Sequence, residues 1–169
     1  MIIFTDGFPV FYVQNRVGKG GKLFGLIKFR TMYKDADKKG LLTVGVKDPR
    51  VTKIGYYLRK YKLDELPQFW NVLMGDMSVV GPRPEVKKYV DLYTEEQRKI
   101  LELRPGITDW ASIRFSNESE ILAKYENPEE GYIKEVMPEK MKYYLNYFID
   151  LSLLIDLKII FLTFLKIIK

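Results

Sequence analysis

An α+β domain, mainly helical, with a short β-hairpin near the N-terminus and an amphipathic helix at the C-terminus, is the fold class that the sequence predicts. Three observations lead to it. Residues 8–13 and 23–30 are rich in aromatic and β-branched side chains and flank a glycine-rich turn, the pattern of two paired strands. Helix signals recur further along, among them the capping box Thr94-Glu95-Glu96-Gln97. Beyond Pro138, an apolar stretch carries Ser152, Asp156, Thr163 and Lys166 at spacings of 4, 7 and 3, which line one narrow helix face. A chain of 169 residues is one domain, long enough to bury a core without covalent staples.

Taken in order, Phe8 to Val13 reads as the first strand, Arg16 to Lys22 as a turn of three glycines and three cations, and Leu23 to Arg30 as the second strand. Strand alternation puts Phe24, Leu26, Lys28 and Arg30 on one face, where Lys28 beside Arg30 would grip a phosphate. The glycines have neither the spacing of a P-loop nor a clear helix after them, so they are read as turn residues. Tyr33 to Lys39 reads as a short charged helix, Leu41 to Val51 as a loop with a turn at Asp48-Pro49-Arg50, and Thr52 to Tyr61 as a helix. Arg59 lies five residues before Asp64, and it either folds back towards that carboxylate or faces solvent.

Lys62-Leu63-Asp64-Glu65-Leu66-Pro67-Gln68 places two adjacent carboxylates at an expected helix start. Asp64 is a favourable N-cap, Pro67 is tolerated in the first turn, and Gly75 ends the helix after the apolar Phe69, Trp70, Val72, Leu73 and Met74. A plain cap with a first-turn dipole partner would explain both acids, and a phosphate-shared divalent cation would explain them too. In Ser78 to Pro84, Pro82 and Pro84 exclude helix and central strand and mount Arg83 on a stiff loop suited to bidentate phosphate binding. The Thr94 box opens a helix to about Leu103. Arg104 to Trp110 is a loop that either contacts a nucleotide or sugar or packs as a turn. Short helices are expected at 117–125 and 128–135, and a last one from Pro138 to Lys169. Its first half is expected to pack under the domain, and its tail from Ile159, with Lys166 and Lys169, to meet lipid.

Composition narrows the chemistry. The chain has no cysteine and no histidine, which excludes disulfides, thiolate or imidazole metal ligands, cysteine nucleophiles and histidine-based triads. Carboxylates, Lys, Arg, hydroxyls and a hard cation remain. The net charge of +6 is unevenly spread: residues 1–63 hold 14 Lys/Arg against 4 Asp/Glu, and residues 64–169 hold 14 against 18. A cationic first third suits phosphates, nucleic acid or an anionic membrane surface. No interleaved basic and aromatic motif points to nucleic acid. Neither a signal peptide nor a run near the ~18–20 apolar residues of a spanning helix is visible.

Several motifs occur in one order: Gln14-x-Arg16-x-Gly18, Lys28-Phe29-Arg30-Thr31-Met32, Asp48-x-Arg50-x-Thr52-x-x-Gly55, Leu58-Arg59, Leu63 to Gln68, Gly75-Asp76-Met77-Ser78-x-Val80-Gly81-Pro82-Arg83-Pro84 and Arg104 to Thr108. Together they closely resemble the bacterial sugar transferases of the monotopic (small) phosphoglycosyl transferase type, over about residues 8–169. The resemblance implies that a sugar 1-phosphate passes from a UDP-sugar to undecaprenyl phosphate, initiating surface glycan assembly such as exopolysaccharide, lipopolysaccharide or capsule. The aspartate matching Asp64 attacks the phosphorus nearest the sugar and forms an aspartyl-phosphosugar with release of UMP. Glu65 is implied as Mg²⁺ partner, and Lys28, Arg30, Arg59 and Arg83 as phosphate-binding residues.

The residues support that chemistry on their own account. A carboxylate is a sound nucleophile towards phosphorus, and two phosphates beside it call for a divalent ion and fixed guanidiniums. Sugar selection is expected after Thr108, at Trp110, Arg114 and Ser116 to Glu120, with Arg104 and Thr108 as further nucleotide or sugar contacts. Family members ordinarily carry a hydrophobic re-entrant membrane helix ahead of the segment matching Gly7 to Phe11, where this sequence has Met1 to Asp6. The expectation is therefore one catalytic domain over residues 1–169 without that helix, at the cytoplasmic face of the bacterial inner membrane. Its site would be intact and its turnover with the lipid impaired. The alternative is an inactive or truncated membrane-peripheral scaffold of the same family.

Overall fold

The computed structural model describes residues 2, 5, 7–36, 40–45 and 48–168. Strand β1 (Phe11–Val17) pairs antiparallel with β2 (Leu23–Phe29), Phe11 opposite Phe29 and Val17 opposite Leu23. The expected hairpin is present, but its first strand starts at Phe11 and runs through Arg16 and Val17. Only Lys19–Gly21 forms the tight turn, where Gly20 and Gly21 take positive φ. The expected face pairing of Lys28 with Arg30 ends at the strand terminus. Arg30 lies one residue beyond β2, and its guanidinium donates to the Gly7 carbonyl at 2.7 Å. Of the helix expected over Tyr33–Lys39, Tyr33 is not helical, residues 34–36 form a turn, and residues 37–39 lie outside the described residues.

Helix α1 (Lys53–Lys60) is capped by Thr52, whose hydroxyl accepts from Gly55 N. A 3₁₀ turn (Leu63–Glu65) follows, entered through Lys62 in the left-handed region at φ 55. Helix α2 (Gln68–Leu73) then leads to Gly75 at φ +84, the expected stop. The expected N-cap role for Asp64 is corrected here. The left-handed Lys62 starts a turn of its own, so Asp64 falls in the middle of it, and α2 begins only after Pro67 with no side-chain cap.

Strand β3 (Ser78–Val80) pairs in parallel with β4 (Gly106–Thr108), so the stretch expected to be loop around Gly106 contributes a strand. Gly81 and Gly106 meet backbone to backbone: a Cβ on Gly106 would lie 2.1 Å from Gly81 N. Gly106→Ala is therefore expected to destabilise the fold by about 3 kcal/mol, measured as a lowered denaturant midpoint at unchanged slope.

Short helices α3 (Lys87–Val90), α4 (Glu95–Arg98, with the expected Thr94 capping box), α5 (Trp110–Arg114), α6 (Glu118–Leu122) and α7 (Pro128–Gly131) surround the main core. A π-helical segment, Tyr132–Val136, runs from α7 into α8 (Met137–Ile149). The core gathers Tyr89, Tyr93, Ile100, Leu122, Tyr132, Met141 and Tyr144.

The single last helix expected from Pro138 is two helices. The break comes at Asp150–Ser152, where the Ser152 hydroxyl accepts from Ile155 N and restarts the chain as α9 (Leu153–Ile168). Two members of the polar stripe face the protein, while Ser152 and Lys166 are exposed: Asp156 accepts from Tyr147 OH at 2.7 Å, and the Thr163 and Thr108 hydroxyls lie 2.6 Å apart. Ile159 is fully buried, whereas Leu153, Leu154, Leu157, Phe161 and Phe164 are exposed. Packing of the first half under the domain holds, since α8 buries Met141, Tyr144 and Tyr147. The tail expected to meet lipid from Ile159 is corrected at that residue, because Ile159 is itself buried and docks α9 together with Ile155, Asp156 and Thr163. Among the described residues, no helix is long and apolar enough to cross a membrane.

Candidate active site

Helix α2 is built inside out. Its buried residues are Gln68 and Asn71, at 1% and 2% exposure, while Trp70 and Leu73 stand at 60% and 78%. Asn71 explains the orientation: its amide donates to Gly25 O at 2.8 Å and its carbonyl accepts from Ile27 N at 3.1 Å, so it extends the open edge of β2. With Asn71 turned onto β2, the 3₁₀ turn comes to lie against the same strand at Lys28. A buried, fully bonded Asn between exposed apolar residues is the functional feature that sequence reading missed. Its signal was the pair Gln68 and Asn71, three apart in a run otherwise apolar.

Lys28, Asp64, Glu65 and Arg83 converge at this point. Glu65 receives both ends of the Arg83 fork, Nη1 at 3.3 Å from Oε2 and Nη2 on Oε1, and Lys28 Nζ lies 3.4 Å from Oε1. Burial opposes ionisation at Glu65, but Arg83 and Lys28 outweigh it and hold the carboxyl well below the ordinary range. Arg83 is correspondingly held above its usual value, chiefly by Glu65. Lys28 is lowered to about 8 by burial, against the field of Glu65. Asp64, 7% exposed, has its pKa raised by burial and then by the neighbouring Glu65 charge, with Lys28, Arg59 and Lys62 opposing. The electrostatics thus separate the two acids: Glu65 is fixed in ion pairs with Arg83 and Lys28, and Asp64 is left unanchored, with no ion pair among the described residues.

The stiffness expected of the Arg83 loop has visible supports. Pro82, Pro84 and Glu85 are buried, Arg16 of β1 donates to Pro84 O at 3.1 Å, and Val17 N donates to Glu85 O at 2.8 Å. The Glu85 side chain is buried with Arg16, Lys140 and Tyr132 around it, a cluster scattered over 125 positions and invisible from local sequence. Arg59 turns back as one sequence alternative had it: Asp64 is the charge that most favours its protonated state against the cost of burial.

The remaining expected contacts lie elsewhere. Thr108 is buried with its hydroxyl engaged by Thr163, Trp110 sits under Lys158 at 5.8 Å, and Arg104 and Arg114 are exposed. The packed-turn alternative therefore describes Thr108 and Trp110 as they stand. For a metal, the donors at hand are the Asp64 and Glu65 carboxylates, and no group of three acidic ligands occurs among the described residues. That donor set fits Mg²⁺ shared with substrate phosphates and water, the usual mode for this ion, and not an all-protein cage.

Over residues 1–169 the chain matches the bacterial sugar transferase family. It belongs to that family. The chain is 49% identical over 120 residues to the uncharacterized sugar transferase EpsL of Bacillus subtilis (strain 168), covering 71% of this chain and 58% of the relative. It is 46% identical over 110 residues to the UDP-N-acetylgalactosamine-undecaprenyl-phosphate N-acetylgalactosaminephosphotransferase of Aeromonas hydrophila, covering 62% and 26%. With the UDP-glucose:undecaprenyl-phosphate glucose-1-phosphate transferase of Escherichia coli (strain K12) it shares 38% over 166 residues, 94% of this chain and 32% of the relative. The chain spans between a quarter and three fifths of the length of these family members.

Proposed function

We propose that this protein transfers a sugar 1-phosphate from a UDP-sugar to undecaprenyl phosphate through a covalent intermediate on Asp64. The observation that carries the reading is the buried, unanchored Asp64 carboxylate beside a Glu65 locked to Arg83 and Lys28, in a chain of the sugar transferase family. An Asp64 oxygen attacks the phosphorus nearest the sugar, the bond from that phosphorus to the bridging oxygen breaks, and UMP leaves with the oxygen. A phosphate oxygen of undecaprenyl phosphate then attacks the same phosphorus and displaces Asp64 as a free carboxylate. Neither step requires a histidine, because UMP and the lipid phosphate move little proton charge at neutral pH.

Charge neutralisation is the main work of such a site. Lys28, Arg59 and Arg83 would meet the phosphates, and Arg30 would support them from the end of β2. Mg²⁺, when bound at Glu65, supplies further neutralisation of the diphosphate. Two inside-out helices support a seat on an anionic membrane surface at the cytoplasmic face: α2 shows Phe69, Trp70, Leu73 and Met74, and α9 shows Leu153, Leu154, Phe161 and Phe164.

The test is a panel of UDP-sugars with Mg²⁺. The accepted donor should release UMP and add the mass of one sugar phosphate to the intact protein, and an absence of both with every donor would overturn the reading. The Lys28 ammonium loses its charge above about pH 8, so kcat/KM for the UDP-sugar is expected to fall on that alkaline side. Lys28→Arg, which stays charged, should move the fall to higher pH.

A further inference from the structure

The loop between β2 and α1 is organised around one arginine. Arg50 uses every donor of its guanidinium. Nε donates to Asp48 Oδ1 at 3.0 Å, Nη1 to Ala36 O at 3.3 Å and Gly40 O at 2.6 Å, and Nη2 to Asp48 Oδ2 at 2.6 Å and to Leu42 O. Asp48 is buried and also accepts from the backbone of Arg50 and of Val44. Three loop carbonyls and one carboxylate are thus gathered on a planar fork that no lysine could replace.

Thr43 sits between the two residues so held, Leu42 by its carbonyl and Val44 by its backbone N–H. Its side chain leaves the staple and accepts from Arg59 Nη2 at 2.8 Å. The other terminal nitrogen of Arg59, Nη1, is buried and has no hydrogen-bond partner among the described residues. Arg59 in turn acts on Asp64 more than on any other acid. A guanidinium held at one nitrogen and left bare at the other, beside a buried carboxylate, is arranged to receive an anionic oxygen.

We infer that Asp48, Arg50 and Thr43 are positioning residues that aim Arg59 at a phosphoryl oxygen of the bound diphosphate. The nature of that anion rests on the transferase reading above; the aiming does not. Thr43 is the clean probe, because Thr43→Val keeps the shape, leaves the Asp48–Arg50 staple intact and removes only the acceptor.

In the full chain, Thr43→Val should leave the melting temperature unchanged and lower kcat/KM for the UDP-sugar on the order of tenfold, as loss of a bond to a charged group does. Thr43→Ser should restore it. In an Arg59→Lys background, Thr43→Val should add no further loss. A second readout is independent of turnover: the ¹⁵N order parameter of Arg59 Nε should be high in the parent and Thr43→Ser proteins and lower in Thr43→Val. An unchanged order parameter, or additive kinetic losses in the double variant, would overturn the inference. If no UDP-sugar is turned over by the parent protein, the transferase reading fails, and the order parameters alone decide whether Thr43 aims Arg59.

Discussion

Replacing Asp64 by asparagine is expected to abolish the covalent phosphosugar adduct and to lower UMP release by roughly 10⁴-fold or more, the scale seen when a nucleophile is removed. Asn is nearly isosteric, and Asp64 makes none of the ion pairs that hold the site together, so the variant should fold with unchanged cooperativity. Intact-mass analysis after incubation with the accepted UDP-sugar reads the adduct directly. A variant that still gained the sugar-phosphate mass would transfer the nucleophile role to another group. The parent should also lose activity as the medium is acidified, since only the ionised carboxylate attacks. Burial, reinforced by Glu65, raises the Asp64 pKa, so this loss should begin above the pH at which an ordinary aspartate protonates.

Glu65→Gln should fail differently, losing stability and activity together. Glu65 is the shared anchor of Arg83 and Lys28, and removing its charge leaves two cations facing each other at a mostly buried point. Breaking a buried pair costs ~3–5 kcal/mol; the Arg83 side chain is 30% exposed, so solvent screens part of this and a loss of about 2–3 kcal/mol is expected. The sign of the pH dependence follows from the depressed Glu65 pKa. Its contribution is complete above the ordinary glutamate value near 4.5 and is lost progressively as the pH falls below it. Denaturant melts at pH 7 and pH 3 should therefore show a smaller acid loss in Glu65→Gln than in the parent. The rate should drop by roughly 10²-fold, since the guanidinium aimed at the developing charge is no longer fixed, and the Mg²⁺ concentration for half-maximal rate should rise.

Much of this site was legible from residue type and order. The ordered motifs named the family, the absence of histidine and cysteine narrowed the chemistry to carboxylates and cations, and Pro82 and Pro84 announced a rigid mount for Arg83. Local signals with a local cause also held: the Thr94 capping box, the Thr52 start of α1, the Gly75 stop and the glycine turn of the hairpin. Asp64 misled as a cap because Asp is favourable at that position in general, while here the left-handed Lys62 one turn earlier decides where the helix begins.

Which face of a helix points inward could not be read from spacing. Apolar periodicity assumes that the apolar side finds the core, yet α2 is held by Asn71 on the edge of β2, and α9 by Asp156, Thr163 and Ile159. Partners contributed by distant segments decided both orientations. The β3–β4 pair, the Glu85 cluster and the Thr43–Arg59 contact are likewise products of chain segments that meet only on folding.

By itself, then, the sequence determined the family and the carboxylates and cations from which a site can be built, because these depend on residue chemistry and short-range order. Only the tertiary structure decided their division of labour. The ion pairs that make Glu65 an anchor, and the burial that leaves Asp64 unanchored and hard to ionise, are long-range electrostatic effects that exist only once Lys28, Asp64, Glu65 and Arg83 share one space.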